Sequence, residues 1–436
     1  MVQTDRRTFI KQSVVASTSA AVLDQQSRSY ARSGSRKFSV ALLGCGGRGT
    51  FLAAQFNEQP DVEVVWVCDP DQSRLVRARE MLGTARFASS DFRKVFEDKT
   101  VDAVIVATPD HWHAPASILA CQAGKHVYVE KPCSHSIREG RLLVEAARKN
   151  KSVVQHGTQV RSTGMMIDAI ELLRKGLIGK VLMSKAWNVQ RRRSIGHESP
   201  CEVPEGLDYD QWVGPAPMMP YQNNRVHHGW HWWYNFGTGD MGNDGVHDID
   251  YARWGLGVEE HPKTVTAQGG KYFFDDDQQF PDTQQVTFEY PGDGGSGNRR
   301  MLIYEQRLWS TNHPRGVDSG VEFYGTEGLM FLSRRGLIEV FDERRQPLAV
   351  AVTPEPQNTD AHIADFIDCA RTGKKPNGDI HIGHLTTTLC HLGNIATRIG
   401  SALQFDPETE TITNNDQANS LVTRCYRDHW SVPRPT

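Results

Sequence analysis

Phe38-Ser39-Val40-Ala41-Leu42-Leu43-Gly44-Cys45-Gly46-Gly47-Arg48-Gly49 is the stretch that decides the fold. A short apolar strand runs without a break into Gly44-x-Gly46-x-x-Gly49, and Thr50 to Glu58 follows with helical character. In that context each glycine has a task. The first makes the tight turn, the second lets a pyrophosphate approach the backbone, and the third lets helix and strand pack closely. The helix N-terminus then offers unpaired N–H groups to the phosphates, with Gly47 and Arg48 inside the same loop. Asp69 stands twenty residues past Gly49, at the end of the β-branched run Val62 to Cys68. A carboxylate there accepts hydrogen bonds from the ribose 2′- and 3′-hydroxyls and repels a 2′-phosphate. NAD is therefore expected, with Arg74 leaving NADP open.

Working outward, apolar strands alternate with helical segments from Phe38 to His156, which argues an α/β fold with a parallel, doubly covered sheet. Asp71 to Leu82, Ala116 to Ala123 and Ser136 to Asn150 read as helices. After Gly157 the texture changes. Strand-like runs at Val181 to Val189, Thr264 to Ala267, Gln285 to Tyr290, Arg300 to Tyr304 and Val321 to Tyr324 are separated by long polar loops. Such spacing suits a mostly antiparallel sheet. Met165 to Lys175, Ala361 to Arg371 and His384 to Ile399 read as helices beside it. The expected organisation is an N-terminal signal and linker over 1–35, a Rossmann domain over 36–157 and a C-terminal α+β domain over 158–436.

In an open α/β sheet the C-terminal strand ends line the ligand crevice. Two patches fall there: Thr108-Pro109-Asp110-His111-Trp112-His113 and Glu130-Lys131-Pro132. Thr108, Pro109, His111, His113 and Glu130 are expected beside the cofactor. A lysine held next to a glutamate in such a crevice suits proton transfer, because burial tunes these groups. His156, Gln159 and Arg161 follow the sixth strand, with Gln159 expected at the cofactor and Arg161 at the substrate. Further on, His227-His228-Gly229-Trp230-His231-Trp232-Trp233-Tyr234 offers flat aromatic faces for sugar rings, Trp230 among them, or else a Trp-rich packed core. No metal site is expected, since no cysteine or glutamate at ligand spacing accompanies those histidines.

With these residues in view, the chain resembles the Gfo/Idh/MocA family, which includes glucose–fructose oxidoreductases and inositol dehydrogenases. The resemblance rests on the glycine motif, Thr108-Pro109, Glu130-Lys131-Pro132 and Gly245-Val246-His247-Asp248-Ile249-Asp250. It implies that Lys131 is the catalytic lysine at substrate and nicotinamide, and that His247 is the base for the reacting hydroxyl. It also implies a C-terminal open sheet that mediates homo-oligomers. One position departs from the pattern: where many members carry an aspartate four residues before the histidine, this chain has Asn243, flanked by Asp240 and Asp244. Either Lys131 and His247 work as a dyad, or Asp244 takes over by a shift of its loop. Asn243 and Asp244 are both expected near the substrate.

Asp5-Arg6-Arg7-Thr8-Phe9-Ile10-Lys11, ahead of a short Ser/Thr/Ala-rich run, resembles a twin-arginine export signal. It implies passage through the twin-arginine translocase and a periplasmic location, with no stable membrane span. That route carries folded proteins, so an exported dinucleotide enzyme would take its cofactor along and regenerate it within its own cycle. The net charge of −3 gives no field for nucleic acid. The eight cysteines are scattered, without a C-x-x-C pair, and are read as free thiols. Three functions follow: an exported NAD(P)-dependent oxidoreductase acting on a carbohydrate, a glycosidase or lyase working by transient oxidation, or a non-catalytic sugar- or dinucleotide-binding protein.

Overall fold

The computed structural model describes residues 36–292 and 297–435. The signal-like segment and linker over 1–35 lie outside the described residues.

Six strands, β1 (Phe38–Leu43), β2 (Val62–Cys68), β3 (Phe87–Ser89), β4 (Ala103–Val106), β5 (His126–Val129) and β6 (Val154–His156), form a parallel sheet in the order β3-β2-β1-β4-β5-β6. β4 is apolar and buried along both faces, and β5 is buried from Val127 onward, as helices on both sides of a parallel sheet require. The order reverses at β1, so the crevice at that switch point opens beside the glycine loop. The helix after β1 runs Gly47–Glu58, three residues earlier than its apolar pattern suggests, because Gly47 and Arg48 already form its first turn.

Nine strands build the second sheet: β7 (Val181–Val189), β8 (Thr264–Gly270), β9 (Thr283–Tyr290), β10 (Arg300–Arg307), β11 (Ser319–Gly325), β12 (Gly328–Ser333), β13 (Leu337–Asp342), β14 (Leu403–Asp406) and β15 (Thr411–Ile412). Their order is β13-β12-β11-β7-β10-β9-β8-β14-β15, and every pairing is antiparallel except β7 with β10. Along β9 the burial alternates, so one face lies on the core while the other is open. The helix Ile380–Ile399 packs on β8 and also against the helix Ile137–Lys149, joining the two sheets within one compact unit, Ser39–Thr436. All eight cysteines are free thiols, and Cys201 and Cys425 are exposed.

Two helices differ from the sequence reading, and both matter for the site. Asp110–Gln122 begins six residues before the expected Ala116, which turns the His111–His113 patch from a loop into a helix start. The Asn243–Asp250 segment, read as a loop, is a π turn at Met241–Gly245 leading into the helix Val246–Leu256. No helix among the described residues is long and apolar enough to cross a membrane.

Candidate active site

At the switch point lies a cleft of about 580 Å³. Gly44, Gly46, Gly47, Arg48, Gly49, Asp69, Thr108, Pro109, His113, Glu130, Lys131, Trp230 and Asn243 all line it. At Gly44 the backbone is left-handed, with φ +93°. A Cβ on Gly49 would strike the Gly44 carbonyl, which is the close helix–strand approach expected of the third glycine. Around Gly47 a Cβ would meet nothing within 4 Å. Gly46 is the N-cap of the helix and supplies no side-chain cap, so the first-turn amides keep their capacity for an anion.

Asp69 accepts from the Cys45 amide at 2.7 Å and the Asp71 amide at 2.9 Å. Burial pushes its carboxyl up in spite of those two amides. Thr108 Oγ1 is buried without a partner among the described residues. An orphaned hydroxyl, an open glycine loop and a carboxylate at the end of β2 together fit a dinucleotide. Arg48 ties the loop to the end of β5, with Nε 2.8 Å from Glu130 Oε1. Burial alone would raise Glu130, but Arg48 and then Lys131 hold it below the usual range, so it stays a carboxylate.

Lys131 Nζ donates to the Asn243 carbonyl and, at 3.2 Å, to Asn243 Oδ1. Asn243 Nδ2 in turn donates to Asp240 Oδ1 at 3.0 Å. These two bonds fix the amide orientation and explain the residue type. Asparagine donates to one neighbour and accepts from the other, which an aspartate cannot do. Two of the three ammonium N–H groups are thereby engaged, leaving one for a substrate oxygen.

His247 is 6% exposed and does not line the cleft, and its Nδ1 is buried without a partner among the described residues. Burial first, then Arg334 and Lys131, hold it neutral, well below the ordinary histidine value. Asp244 is not its partner. That carboxylate is held by Arg334 at 2.6 Å, Arg192 at 2.9 Å and Gln190 at 2.5 Å. Burial would raise Asp244, yet the two arginines keep it ionised far below the usual range. It sits in the turn that starts a helix, so no loop shift is available to bring it over. The expected takeover by Asp244, and its contact with substrate, are therefore corrected.

Three other expectations change because the polar groups concerned already have partners inside the protein. His111 is fully buried, with Nε2 2.9 Å from the Trp212 carbonyl and Nδ1 3.3 Å from that of Phe236. It fastens Trp212 and Phe236 to the start of the helix Asp110–Gln122 and does not line the cleft. Gln159 is equally buried and donates to Tyr128 Oη at 2.9 Å and Glu130 Oε1 at 3.4 Å, so it orients Glu130 from behind. Arg161 makes a two-pronged pair with Asp250, at 2.7 and 3.0 Å, under Trp254, and is no substrate ligand. His113 keeps its place in the wall by bridging the Pro132 carbonyl at 2.6 Å and the Thr108 carbonyl at 2.8 Å.

The histidine- and tryptophan-rich segment covers the cleft. His227 Nε2 lies 2.8 Å from Asp71 Oδ2, two residues from Asp69, while His231 at the other end feels the Lys131 charge. Trp230 stacks on His231 with ring centroids 3.6 Å apart. His231 Nδ1 is 2.6 Å from the His228 carbonyl. A carbonyl only accepts, so Nδ1 carries the proton and Nε2 keeps its lone pair. Burial first, and the charges of Lys131, His228 and Arg192 with it, keep this ring neutral, well below the usual histidine value, against the pull of that carbonyl. In the sequence His231 stands only as one member of the aromatic segment, with no proton-transfer role. Its tautomer depends on a bond that spacing does not reveal.

Outside the cleft, His261, His384 and Glu410 bring possible ligand atoms within 4.8 Å of one another. Both imidazoles bond to Glu410, at 2.9 and 2.7 Å, and Arg141 forks onto the same carboxylate. The Glu410 carboxylate is thus engaged by all three groups, His261 Nδ1 is buried without a partner among the described residues, and the guanidinium opposes a cation.

Comparison with known proteins adds to this geometry. The profile described as "Oxidoreductase family, NAD-binding Rossmann fold" matches residues 38–158. That described as "Oxidoreductase family, C-terminal alpha/beta domain" matches residues 183–432. The scyllo-inositol 2-dehydrogenase (NAD(+)) of Bacillus subtilis (strain 168) is 26% identical over 342 residues, covering 77% of this chain and 87% of that protein. Glycosyl hydrolase family 109 protein 2 of Shewanella sp. (strain ANA-3) is 28% identical over 216 residues, 43% of this chain and 47% of that one. Levoglucosan dehydrogenase, solved in complex with NADH and levoglucosan, has a TM-score of 0.66 at 19% identity, covering 84% of this chain and 99% of that chain. At that identity the likeness shows a shared fold.

Proposed function

This chain belongs to the Gfo/Idh/MocA family of NAD-binding oxidoreductases, and on that premise we propose that it oxidises a secondary alcohol of a sugar or polyol, using a NAD that stays in its cleft. The observation that carries the reading is the pairing, in one cleft, of a glycine-loop dinucleotide cradle with Lys131 and a His231 whose lone pair is free. When bound, NAD would supply a reversible hydride acceptor, and a carbonyl compound of the same sugar class, entering after the first product leaves, would take the hydride back so that the cycle closes. Lys131 holds the substrate oxygen with its remaining N–H, and His231 Nε2 takes the hydroxyl proton. His247, buried and neutral, is the base that the family resemblance implies, but it does not line the cleft and His231 does. Retention follows from the cover: the 227–231 segment is fastened to Asp71 at one end and reaches the Lys131 region at the other.

Export through the twin-arginine translocase to the periplasm belongs to the same proposal and rests on Arg6-Arg7 and the run after it. So does a homo-oligomer formed through the open face of the second sheet. A resident cofactor gives the export reading its chemical sense, because no free NAD need be met outside. Protein purified without added nucleotide is expected to release close to one NAD(H) per chain on denaturation, read by mass spectrometry. Less than one tenth of that would sink the resident-cofactor reading.

A second reading is favoured by the presence of two separate proton-handling groups, Lys131 and His231. One would serve the hydroxyl and the other the C–H made acidic by transient oxidation next to it. Such an enzyme is a glycosidase or lyase, and the match to the Shewanella family 109 protein supports it. The readings separate in deuterium oxide with a glycoside panel and no added cofactor. Elimination places solvent deuterium on the carbon beside the oxidised one without net NADH. Plain dehydrogenation accumulates NADH and retains that hydrogen.

His231→Gln is expected to lower kcat/KM about a hundredfold, the scale of a lost general base. A base acts when deprotonated, and a lowered pKa keeps it so into acid. Wild-type activity should therefore persist below pH 6, with an acid limb that vanishes in the variant. An unchanged acid limb in His231→Gln would move the base to His247.

A further inference from the structure

One wall of the cleft is held from outside by residues 424–430, at the end farthest from Lys131. The strand order puts β3 beyond β2, whereas Lys131 follows β5 on the other side of the switch point. Phe92, just after β3, and Trp112, in the first turn of the helix Asp110–Gln122, both line the cleft. Their rings meet edge to face, with centroids 5.0 Å apart. An apolar aromatic wall beyond Asp69 suits the adenine end of a dinucleotide, because a base packs on flat carbon faces and brings no charge.

Trp430 stands behind that wall. Its ring centroid lies 5.4 Å from that of Phe92 and 6.1 Å from that of Trp112, and the Arg93 guanidinium sits over it at 4.6 Å. Trp430 does not line the cleft and is 40% exposed, while Phe92 and Trp112 are buried. A tryptophan left that open adds little to a core, yet two residues of the cleft wall rest against it. Arg427 holds a second part of the wall. It donates to the Asp210 carbonyl at 2.7 Å, to Asp210 Oδ1 at 2.5 Å and to the Gly214 carbonyl at 2.5 Å. Those bonds grip the turn that carries Gln211 and Trp212, which line the cleft too. Trp112 Nε1 donates to the Trp212 carbonyl at 3.0 Å, so the two parts of the wall are joined. Arg424 anchors the segment at its other end, with Nε 2.7 Å from Glu139 Oε1 and Nη2 2.7 Å from the His111 carbonyl.

We infer that residues 424–430 are a strap that retains NAD, and that Trp430 is the positioning residue for its adenine end. Trp430 acts through Phe92 and Trp112, and Arg427 acts through Gln211 and Trp212. Release of the adenine requires these wall residues to part, and the strap ties them together from outside. The inference rests on the reading of NAD as a resident group and adds a cause of retention beyond the 227–231 cover.

The test follows release of NADH from the loaded protein, read by its fluorescence during a chase with excess NAD. Trp430→Ala is expected to release NADH about tenfold faster than wild type, the scale of one or two lost aromatic contacts. Trp430→Phe keeps a ring against Phe92 and should restore the rate to within about threefold of wild type. Arg427→Gln should also release NADH about tenfold faster. Its partner Asp210 is exposed, so that variant keeps its fold. AMP, which carries only the adenine end, should lose affinity in Trp430→Ala by the same factor, while nicotinamide mononucleotide should not. A merely structural defect would weaken both. Wild-type protein purified empty would sink the resident-cofactor reading, and release after loading with NADH would still decide the strap. Wild-type release rates in Trp430→Ala and Arg427→Gln, or equal losses of AMP and mononucleotide affinity, would overturn the inference.

Discussion

Replacing Lys131 by methionine is expected to lower kcat by about 10²–10⁴-fold while leaving NAD bound. Methionine keeps most of the length and apolar stem of the side chain, so the wall of the cleft holds its shape. What disappears is the ammonium, with its bonds to the Asn243 carbonyl and Oδ1 and its N–H for the substrate oxygen. Both abandoned acceptors belong to a residue that lines the cleft, where water can reach them, so the loss of stability should be small. On the proposed reading, cofactor retention depends on other groups: the glycine loop, Asp69 and the 227–231 cover. Two controls isolate the effect, the NAD(H) content per chain and the melting temperature, and both should match wild type. Activity within threefold of wild type would remove Lys131 from the chemistry. An equal fall in NAD content would make it a cofactor ligand alone.

The same residue shows how much was legible before any coordinates. Lys131 and Glu130 could be placed because a strand end in a parallel sheet has only one destination, the crevice. The glycine loop and Asp69 were legible for a similar reason, since strand, turn and helix follow without a gap. His111, Gln159 and Arg161 were misread by the same logic. They too follow strand ends, but each has its polar atoms taken up by groups distant in sequence, such as Asp250 for Arg161, 89 residues on. Spacing cannot tell a buried partner from a ligand. The helix Val246–Leu256 was missed because it is buried almost all round, with His247, Asp248, Asp250 and Arg253 as deep as Val246 and Ile249. No polar face means no helical period to read. The start of Asp110–Gln122 was hidden likewise, by eleven buried positions and an internal Pro115.

Asn243 changes meaning between the two views. As a sequence feature it subtracts the aspartate of a proton relay. In the structure it joins Asp240 to Lys131, and the nearby carboxylates are consumed by Arg192 and Arg334. Charge around Lys131 is thus balanced without a free acid beside His247. That balance shifts the search for a base towards His231, whose tautomer is set by a main-chain carbonyl.

Gly46→Ala and Gly44→Ala are expected to fail in different ways, and the contrast tests the cradle directly. At Gly46 a Cβ would touch only Arg74 Nη1, at 3.2 Å, the mobile end of a long side chain. The fold should tolerate it, with a melting temperature close to wild type. The new methyl, however, stands where the pyrophosphate must approach the backbone. An overpacking cost of about 1–3 kcal/mol at that contact corresponds to a Kd for NAD raised roughly tenfold to a hundredfold. At Gly44 the backbone has φ +93°, and a Cβ would press on the Ala107 carbonyl at 2.5 Å and the Thr108 amide at 2.8 Å. Those are main-chain atoms and cannot swing away. Strain of about 1–3 kcal/mol for the backbone adds to a similar clash cost, so stability and cofactor should fall together. Thermal unfolding with and without saturating NAD reads both terms at once. Gly46→Ala should lose the nucleotide-induced gain in melting temperature but not the baseline, and Gly44→Ala should lose both. Gly46→Ala protein that still carries a full complement of NAD would show that the phosphates lie elsewhere, and the assignment of this loop as the dinucleotide cradle would fall with it.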